Sequence, residues 1–392
     1  MDNFTFYSPT RVEFGRGAEE KTGALAKSFG AHKVLLLYGG GSAERSGILD
    51  RVRASLEEQQ IESVPFGGIV PNPRLSTVRR AIDAGRQAGV DFLMAVGGGS
   101  VIDSAKAVGY GLATGEDVWP FFEKKREPGA SLPIGVVLTI AASGSETSNS
   151  AVITNEEGLL KRGLRNDLSR PRFALLNPEL TMTLPWYQTA CGCVDIAMHA
   201  IERYFTRESP AEVRDSMNLA LVRAVIRNSR LLKLHPDDYN ARAEIMWAGS
   251  LAHNDLFGDR HTGDWACHQM EHELSGMFDV AHGAGLAALW GSWARYVYKD
   301  DLPRFASFAV GVFDAFTDFT DLETTALAGI HAMEDWLRSM EMPTRVSDLD
   351  IGLTDDRIEL LADKCTFGGQ RTIGQVRELG RKEIADIYRM AR

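Results

Sequence analysis

Short apolar runs alternate with helical patterns over about the first 180 residues, and this alternation limits the possible folds more than any other feature. The runs at 33–39, 91–100 and 132–141 are rich in aliphatic residues, whereas the segments 75–89 and 100–113 have helical spacing. Continuous apolar strands separated by helices are typical of a parallel sheet that is covered on both faces. We therefore predict an α/β fold with a Rossmann-like parallel sheet. Two shorter runs extend the predicted sheet: AVIT at 151–154 and RFALLN at 172–177.

The alternation ends near Thr183-Leu184-Pro185, where Thr183 can cap a helix and Pro185 suits its first turn. Beyond this point the strand signals stop and long amphipathic stretches follow. The predicted helices lie at 186–205, 211–233, 238–256, 284–298, 321–340, 354–365 and 373–391. We expect an α/β dinucleotide-binding domain at residues 1–184 and an all-helical metal-binding domain at residues 185–392.

Length and charge support two domains and exclude some partners. A chain of 392 residues exceeds what one hydrophobic core usually organises. The net charge of −10 and the lack of a basic stretch argue against nucleic acid and anionic membranes as partners. The N-terminus lacks the pattern of a secretory signal, and no apolar run approaches the roughly 20 residues of a membrane span. Four cysteines do not make a disulfide framework, so we expect a cytoplasmic protein.

Three glycine-rich elements follow predicted strands: Gly39-Gly40-Gly41-Ser42, Gly97-Gly98-Gly99-Ser100, and TIAASGSE from Thr139 to Glu146. Glycines after a strand let the backbone approach an anion, and a following helix offers unpaired N–H groups. The second element is therefore a candidate pyrophosphate cradle. The alternative is that the glycines only make turns. None of the three matches the GxGxxG fingerprint or the GxxxxGK[ST] phosphate loop.

Acidic and histidine residues at helical spacing indicate a metal site. Asp195 and His199 are four residues apart, as are His268 and His272, and His282 follows shortly after. One carboxylate and three of these four imidazoles would suit Fe²⁺ or Zn²⁺ better than Ca²⁺ or Mg²⁺. Any single histidine could instead be a satisfied core residue, so the prediction depends on the joint pattern.

A rival interpretation concerns HQMEH at 268–272, which matches the HxxEH pattern of inverted zinc peptidases. Glu271 would then activate water, but the glycine loops and the Asp195/His199 pair would have no purpose. A metal-binding protein without catalysis is a further alternative.

Cys191 and Cys193 lack the CxxC spacing of structural zinc sites and are expected to be buried helix residues. The remaining histidines have no such spacing partners and are expected at the surface or in the core: His32, His235, His253, His261 and His331.

Together these motifs resemble the iron-containing (group III) alcohol dehydrogenase family. The resemblance is carried by GGGSVIDSAKA (97–107), TIAASGSE (139–146), DIAMHAIE (195–202) and HQMEHELSGMFDVAHGAGLA (268–287). It extends over nearly the whole chain and is closest to the butanol dehydrogenase branch, which reduces aldehydes with NADPH. It implies hydride transfer between NADP(H) and a small primary alcohol or aldehyde such as butanol or butanal. A glycerol-type dehydrogenase or a lyase on the same fold is an alternative.

The resemblance also implies roles for individual residues. The metal ligands would be Asp195, His199, His268 and His282, while His272 would lie near the reacting carbonyl as a catalytic residue. The pyrophosphate loop would be Gly98, Gly99, Ser100 and Asp103, and the nicotinamide, phosphate or ribose contacts would be Thr139, Ser143 and Lys161. Ser143 departs from the family, where threonine is common, but keeps the hydroxyl.

The first glycine-rich element bears on the choice between NAD and NADP. An enzyme selective for NAD usually places a carboxylate on the adenosine ribose, but the corresponding position here is Gly39-Gly40-Gly41-Ser42. A 2′-phosphate would meet backbone N–H groups and the Ser42 hydroxyl, with Arg45 nearby, so we predict a preference for NADP(H).

The N-terminal FTFYSPTRVEF at 4–14 is expected to form a hairpin with Pro9 in its turn. In the family such an edge pairs across a dimer, which implies a homodimer.

Overall fold

The computed structural model describes residues 3–207, 211–258 and 263–392, and the side chain of Ser42 lies outside the description. His261 also lies outside the described residues. The chain divides into two compact units. Tyr7–Leu184 form one, called here the α/β unit, and Met1–Phe6 with Pro185–Arg392 form the other, called the helical unit. Residues 3–6 thus group with the helical unit rather than with residues 7–184.

Within the described residues, the α/β unit contains one six-stranded sheet in which every pairing is parallel, and a separate two-stranded hairpin. The strands are β1 (Arg11–Phe14), β2 (Lys33–Tyr38), β3 (Glu62–Phe66), β4 (Phe92–Gly97), β5 (Ile134–Leu138), β6 (Ser150–Asn155), β7 (Leu160–Arg165) and β8 (Phe173–Leu176). The sheet order is β1-β8-β5-β4-β2-β3, and β4, β5 and β8 are fully buried. The predicted α/β fold class is confirmed.

Helices connect these strands, and the two segments predicted as helices, 75–89 and 100–113, correspond to α4 and α5. They are α1 (Thr22–Ser28), α2 (Gly41–Arg45), α3 (Ile48–Glu58), α4 (Leu75–Ala88), α5 (Gly99–Thr114) and α6 (Trp119–Phe122), with 3₁₀ turns at Ala18–Lys21, Asp167–Ser169 and Pro178–Thr181. Gly89 ends α4 at φ 66° and Gly115 ends α5 at φ 74°, a left-handed backbone that glycine adopts at little cost.

Two expectations about strands were wrong. AVIT at 151–154 lies in β6, which pairs antiparallel with β7 and does not join the parallel sheet. The N-terminal segment forms no hairpin, because residues 3–10 are irregular and β1 pairs parallel with β8. A short apolar run indicates a strand but does not specify its partner, which depends on the rest of the fold.

The described part of the helical unit consists of helices and short turns. The helices are α7 (Trp186–Tyr204), α8 (Glu212–Leu234), α9 (Tyr239–Ala252), α10 (Ala266–Phe278), α11 (His282–Val297), α12 (Leu302–Phe313), α13 (Leu322–Ser339), α14 (Asp355–Cys365) and α15 (Arg381–Ala391), with 3₁₀ turns at Tyr298–Asp301 and Val346–Leu349. The helix predicted at 373–391 begins only at Arg381, because Ile373 and Leu379 form a β-bridge around Gly374 at φ 86°.

Close backbone contacts bring the site helices together. A Cβ at Gly283 would lie 2.1 Å from the Cys191 carbonyl oxygen, so only glycine allows the start of α11 to approach α7 so closely. Cys191 and Cys193 are helix residues of α7, and all four cysteines are free thiols. Among the described helices, none is both long and apolar enough to cross a membrane.

Candidate metal centre and nucleotide loops

The three glycine-rich elements follow three neighbouring strands of the sheet. β2 lies beside β4, and β4 lies beside β5, all in parallel. The segments that begin at Gly39, Gly98 and Thr139 therefore leave the same edge of the sheet. The chain order also reverses between β2 and β4, since β3 lies outward on one side and β5 on the other. Ligands of open parallel sheets bind at such a switch point, beyond the carboxyl ends of the strands.

The second and third elements pack against each other without room for side chains. A Cβ at Gly99 would lie 2.4 Å from Ser143 Oγ, and one at Gly98 would lie 3.1 Å from Ile140 Cβ. The Thr139 N–H donates to the Gly97 carbonyl over 3.1 Å. Gly98 is the N-cap of α5, a 16-residue helix whose first turn contains Ser100. This bare helix terminus fits a pyrophosphate, because its first N–H groups have no partner within the helix.

The first element has a different environment. Gly39 accepts a hydrogen bond from the Gly68 N–H over 3.0 Å, and Gly41 begins the short helix α2. The Arg45 guanidinium folds back, so that a Cβ at Gly41 would lie 2.7 Å from Arg45 Nη1. Glu44 faces the Tyr38 hydroxyl, and burial together with this carboxylate raises the pKa of Tyr38. The Arg45 guanidinium therefore lies beside the loop, and the Glu44 carboxylate of α2 interacts with the Tyr38 hydroxyl.

Asp103 supports the third element from within rather than lining an open loop. Its Oδ1 accepts from Ser145 Oγ over 2.6 Å and its Oδ2 accepts from the Val152 N–H over 2.9 Å. Burial raises the pKa of this carboxyl, although Lys106 and the two donors oppose the change. Asp103 is predicted to belong to the pyrophosphate loop, but both of its carboxylate oxygens accept hydrogen bonds from protein groups.

Two lysines complete this region, and sequence reasoning missed one of them. Lys106 is fully buried, and its Nζ donates to the carbonyls of Ser145, Ser148 and Ser150 over 2.7–2.9 Å. Burial lowers the pKa of Lys106 to about 7, although the carboxylates of Asp103 and Glu146 oppose this. The other lysine, Lys161 of β7, is also buried and donates to Asn72 Oδ1 over 3.0 Å.

The predicted metal ligands come from three helices of the helical unit. α7 carries Asp195 and His199 one turn apart, α10 carries His268, and His282 is the first residue of α11. Asp195 Oδ1 lies 3.7 Å from His268 Nε2 and 3.7 Å from His282 Nε2. The ligand atoms of these three residues all lie within 4.8 Å of one another.

The chemistry of this group fits a divalent cation. Among the residues that the structure describes, the buried atoms Asp195 Oδ1 and His268 Nε2 have no hydrogen-bond partner. Burial opposes ionisation of Asp195, but His199 and His282 hold the pKa of this carboxyl well below its usual range. Buried polar atoms without partners are costly, so atoms that converge in this way indicate a cation-binding site. A carboxylate with imidazoles suits Fe²⁺ or Zn²⁺.

Two buried glutamates orient the histidines. Glu202 accepts from His268 Nδ1 and from the Cys267 N–H, the latter over 2.7 Å. Glu271 accepts from His282 Nδ1 and from the Ser275 hydroxyl. Because a carboxylate only accepts, each Nδ1 carries the proton, and each Nε2 presents a lone pair toward Asp195. Carboxylate–histidine pairs of this kind are the usual support of a metal ligand.

His199 lies beside the group but is not one of the three residues whose ligand atoms converge. Its Nδ1 donates to the Asp195 carbonyl over 2.9 Å, which leaves Nε2 with a lone pair. Burial lowers the pKa of His199 to about 4, although Asp195 opposes this, so the ring is neutral near pH 7. Its centroid lies 4.5 Å from that of His268 and 4.3 Å from that of His253.

His272 is a neighbour of His282. The two ring centroids are 5.7 Å apart, and His272 is half-buried. The peptidase interpretation requires His268 and His272 to share one ion with Glu271 as a base. In the described residues, however, His268 groups with Asp195 and His282, and the Glu271 carboxylate is held by His282 and Ser275. The geometry therefore does not support hydrolysis with Glu271 as the base.

Both units match one family of known proteins. The family model described as "Iron-containing alcohol dehydrogenase" matches residues 9–178, and "Fe-containing alcohol dehydrogenase family, C-terminal" matches residues 189–392. NADH-dependent butanol dehydrogenase A of Clostridium acetobutylicum is 37% identical over 390 residues, with 99% of each chain covered. The chain belongs to the iron-containing alcohol dehydrogenase family. The resemblance predicted from the sequence motifs is confirmed.

Other members of the iron-containing alcohol dehydrogenase family extend this comparison. The NADPH-dependent aldehyde reductase YqhD of Escherichia coli is 33% identical over 399 residues, with all of both chains covered. The crystal structure of NADH-dependent butanol dehydrogenase A from Thermotoga maritima has a TM-score of 0.95 at 37% identity, covering 100% of this chain and 99% of that one. The protein is thus a metal-dependent alcohol dehydrogenase, an oxidoreductase. Its relatives include both an NADH-dependent and an NADPH-dependent enzyme.

The structure adds residues of this alcohol dehydrogenase site that sequence reasoning missed. Glu202 is seven residues after Asp195, a spacing that puts both on one face of α7, so this signal was available. His253 was assigned to the surface or core but stacks on His199. Trp265 contacts the rings of His199 and His268, and only the folded chain reveals this.

Proposed function

We propose that this alcohol dehydrogenase interconverts small primary alcohols and aldehydes, such as butanol and butanal, with a preference for NADP(H). The observation that carries the proposal is the convergence of Asp195 Oδ1, His268 Nε2 and His282 Nε2, of which the first two are buried. This donor set, with a carboxylate behind each of the two histidines, suits an ion that must also accept a substrate oxygen.

Asp195, His199, His268 and His282 would hold Fe²⁺ or Zn²⁺, with His199 using the Nε2 lone pair left by its bond to the Asp195 carbonyl. When bound, the ion polarises a carbonyl as a Lewis acid, and the reduced nicotinamide supplies the hydride. Glu202 and Glu271 keep the Nδ1 atoms protonated, so that His268 and His282 can only present Nε2. His272, half-buried beside His282, would donate the proton that completes the alcohol hydroxyl.

The nucleotide would be bound by the α/β unit. Gly98, Gly99 and Ser100 would meet the pyrophosphate at the α5 N-terminus, while Thr139, Ser143 and Lys161 would contact the nicotinamide, phosphate or ribose. Asp103 would hold Ser145 and β6 in place rather than touch phosphate.

Preference for NADP(H) is argued from charge at the first glycine element. Gly39, Gly40 and Gly41 present backbone without a carboxylate, and Ser42 adds a hydroxyl by sequence. Arg45 lies against Gly41, and Glu44 faces Tyr38. A 2′-phosphate would therefore meet a cation, whereas the acid that usually selects a free 2′-hydroxyl has no counterpart among residues 39–42.

The test is NADPH oxidation with butanal, on protein purified without oxygen, with and without a chelator. We expect oxidation that a chelator removes and added Fe²⁺ or Zn²⁺ restores, and a higher kcat/KM with NADPH than with NADH. A folded, metal-loaded protein that reduces no aldehyde would refute the proposal. A higher kcat/KM with NADH would refute only the cofactor preference.

We also propose a cytoplasmic homodimer. The free thiols, three of them buried, suit a reducing compartment. The edge position of β1 and the exposed aromatic side chains of Phe4, Phe6 and Tyr7 offer a surface for a second copy. Light scattering coupled to size exclusion should give twice the mass of the 43.1 kDa chain.

A further inference from the structure

Trp265 lies directly against the metal-binding histidines. Its ring centroid is 5.3 Å from that of His268 and 6.0 Å from that of His199, and both histidine rings stand nearly perpendicular to the indole. Tryptophans of the core, such as Trp290 and Trp336, are fully buried, whereas Trp265 is only half-buried. Part of the indole therefore remains accessible next to the residues that would hold the ion.

The backbone of Trp265 adopts a conformation that bulky residues rarely tolerate. Its φ is 59° and ψ is 9°, in the left-handed region. The neighbours fix it there: the Asp264 N–H donates to the Glu202 carbonyl over 2.8 Å, and the Ala266 N–H donates to Asp264 Oδ1 over 3.1 Å. A strained residue held on both sides at a functional site indicates that its side chain is needed in that position.

The indole cannot move back into the protein. The Arg203 guanidinium lies over the ring, with Cζ 4.6 Å from the centroid. Arg203 is itself 1% exposed and donates to the carbonyls of His199, over 3.1 Å, and Gly258, over 3.3 Å. A Cβ at Gly263 would lie 2.7 Å from Trp265 Nε1, so the ring is also confined on that side.

We infer that Trp265 is a specificity-determining residue that limits substrate bulk beside the metal ligands and restricts the enzyme to unbranched aldehydes. The inference rests on the proposed aldehyde reduction. Because the indole lies beside the His268 ring, a carbonyl oxygen directed at Asp195, His268 and His282 would bring its adjacent carbon toward the indole. A straight chain can pass a flat ring, whereas a branch at that carbon would collide with it, because Arg203 and Gly263 prevent the ring from retreating.

The experiment compares kcat/KM for butanal and for 2-methylpropanal in the wild type, Trp265→Gly and Trp265→Phe, together with the metal content of each protein. Glycine accepts the left-handed backbone, so Trp265→Gly should fold and keep its metal. We expect the ratio of branched to straight-chain kcat/KM to rise at least about tenfold in Trp265→Gly, the order of effect of one methyl group in a tight pocket. Trp265→Phe should shift the ratio in the same direction by less.

Trp186→Ala is the matched control, because Trp186 is a half-buried tryptophan at the start of α7, about 13 Å along the helix from Asp195. Its ratio should equal that of the wild type. An unchanged ratio in metal-loaded Trp265→Gly would overturn the inference, and if that variant fails to fold, an unchanged ratio in Trp265→Phe would do so. A wild type that reduces no aldehyde at all would instead refute the proposed function.

Discussion

Glu202 shows how a single residue outside the ligand set can control the metal. Its carboxylate accepts from His268 Nδ1 and from the Cys267 N–H, and so fixes both the tautomer and the orientation of the imidazole. We expect Glu202→Gln to weaken Zn²⁺ binding about 10- to 100-fold in a competition assay with a chelator.

Glu273→Gln provides the control for loss of a buried carboxylate from a helix of the same unit. Glu273 is 1% exposed on α10, and its charge adds to burial in raising the pKa of Tyr388. This variant should keep the wild-type affinity for Zn²⁺. Equal affinities for Glu202→Gln and the wild type would show that His268 does not depend on its carboxylate.

His272 and His268 lie four residues apart on α10 but should respond differently to replacement. His268 Nε2 converges with Asp195 and His282, whereas the His272 ring only neighbours His282. We expect His268→Ala to lose both metal and turnover. His272→Ala should keep its metal while kcat falls about 10²- to 10⁴-fold, the usual contribution of a general acid.

Metal analysis and steady-state kinetics on the same preparations separate the two roles. The protonation role predicts that kcat of His272→Ala changes far more than metal content. Loss of metal in His272→Ala would mean that this residue is a ligand, as part of the second potential group formed by Glu271, His272 and His282.

The contact between α5 and the segment after β5 is an element-scale feature with its own prediction. A methyl group at residue 99 would lie 2.4 Å from Ser143 Oγ, so Gly99→Ala must displace a hydroxyl proposed to contact the nucleotide. We expect the Kd for NADPH to rise at least about tenfold, which corresponds to the loss of one good hydrogen bond. Zn²⁺ binding should not change, because its ligands lie in the helical unit.

Isothermal titration with NADPH and separately with Zn²⁺ measures both affinities. Gly129→Ala is the matched control, since a Cβ at that exposed loop position meets nothing within 4 Å. Nucleotide affinity equal to that of Gly129→Ala would show that Ser143 tolerates the methyl group and that the tight packing has no role in binding.

Lys106 links α5 to the segment 145–150 and makes the stability of the α/β unit dependent on pH. Burial lowers its pKa from 10.5 to about 7. Between pH 7 and 10.5 the unfolded chain therefore holds a proton that the folded chain lacks, so the free energy of unfolding rises with pH. The slope from this group is about 1.4 kcal/mol per pH unit. Lys106→Met should lose that slope, besides being destabilised by the carbonyls left without a donor.

Urea unfolding at several pH values from 7.5 to 9.5, monitored by circular dichroism, would measure the slope. Lys125→Met is the control, because the Lys125 side chain is 68% exposed. The control should follow the wild type at every pH. Parallel profiles for the wild type and Lys106→Met would mean that Lys106 stays protonated in the folded protein.

Sequence periodicity predicted most elements, and the failures have physical causes. Strands such as β4 and helices such as α5 combine apolar periodicity with glycine boundaries, so local signals were sufficient. AVIT in β6 was placed in the wrong sheet, because pairing depends on residues far along the chain. α12 was not predicted, and α15 was started too early, at residue 373 instead of Arg381.

The site was predictable where ligands repeat at helical spacing. Asp195 and His268 follow from such spacing together with the family resemblance, and the structure brings them together with His282. Glu202 and Lys106 were missed, since charged residues are usually exposed and their burial is decided by partners supplied by other segments. The supporting shell of a site is thus harder to predict than its ligands.

At the scale of the whole molecule, the two predicted ligand sets lie in different units. The metal residues are all in Pro185–Arg392, and the nucleotide residues are all in Tyr7–Leu184. A ligand that binds only the folded state stabilises the unit that binds it, by about 2.7 kcal/mol at 100 times its Kd. We therefore expect Zn²⁺ and NADPH, added separately, to slow hydrogen exchange in different segments.

Zn²⁺ should slow exchange up to about 100-fold in α7, α10 and the start of α11, since amides there open only when the ion is released. NADPH alone should protect residues 97–104 and 139–146. His268→Ala should lose the response to Zn²⁺ while keeping that to NADPH, which excludes a general effect of ionic strength. Protection by Zn²⁺ centred on residues 97–104 would contradict the assignment of the ion to the helical unit, because no predicted ligand lies there.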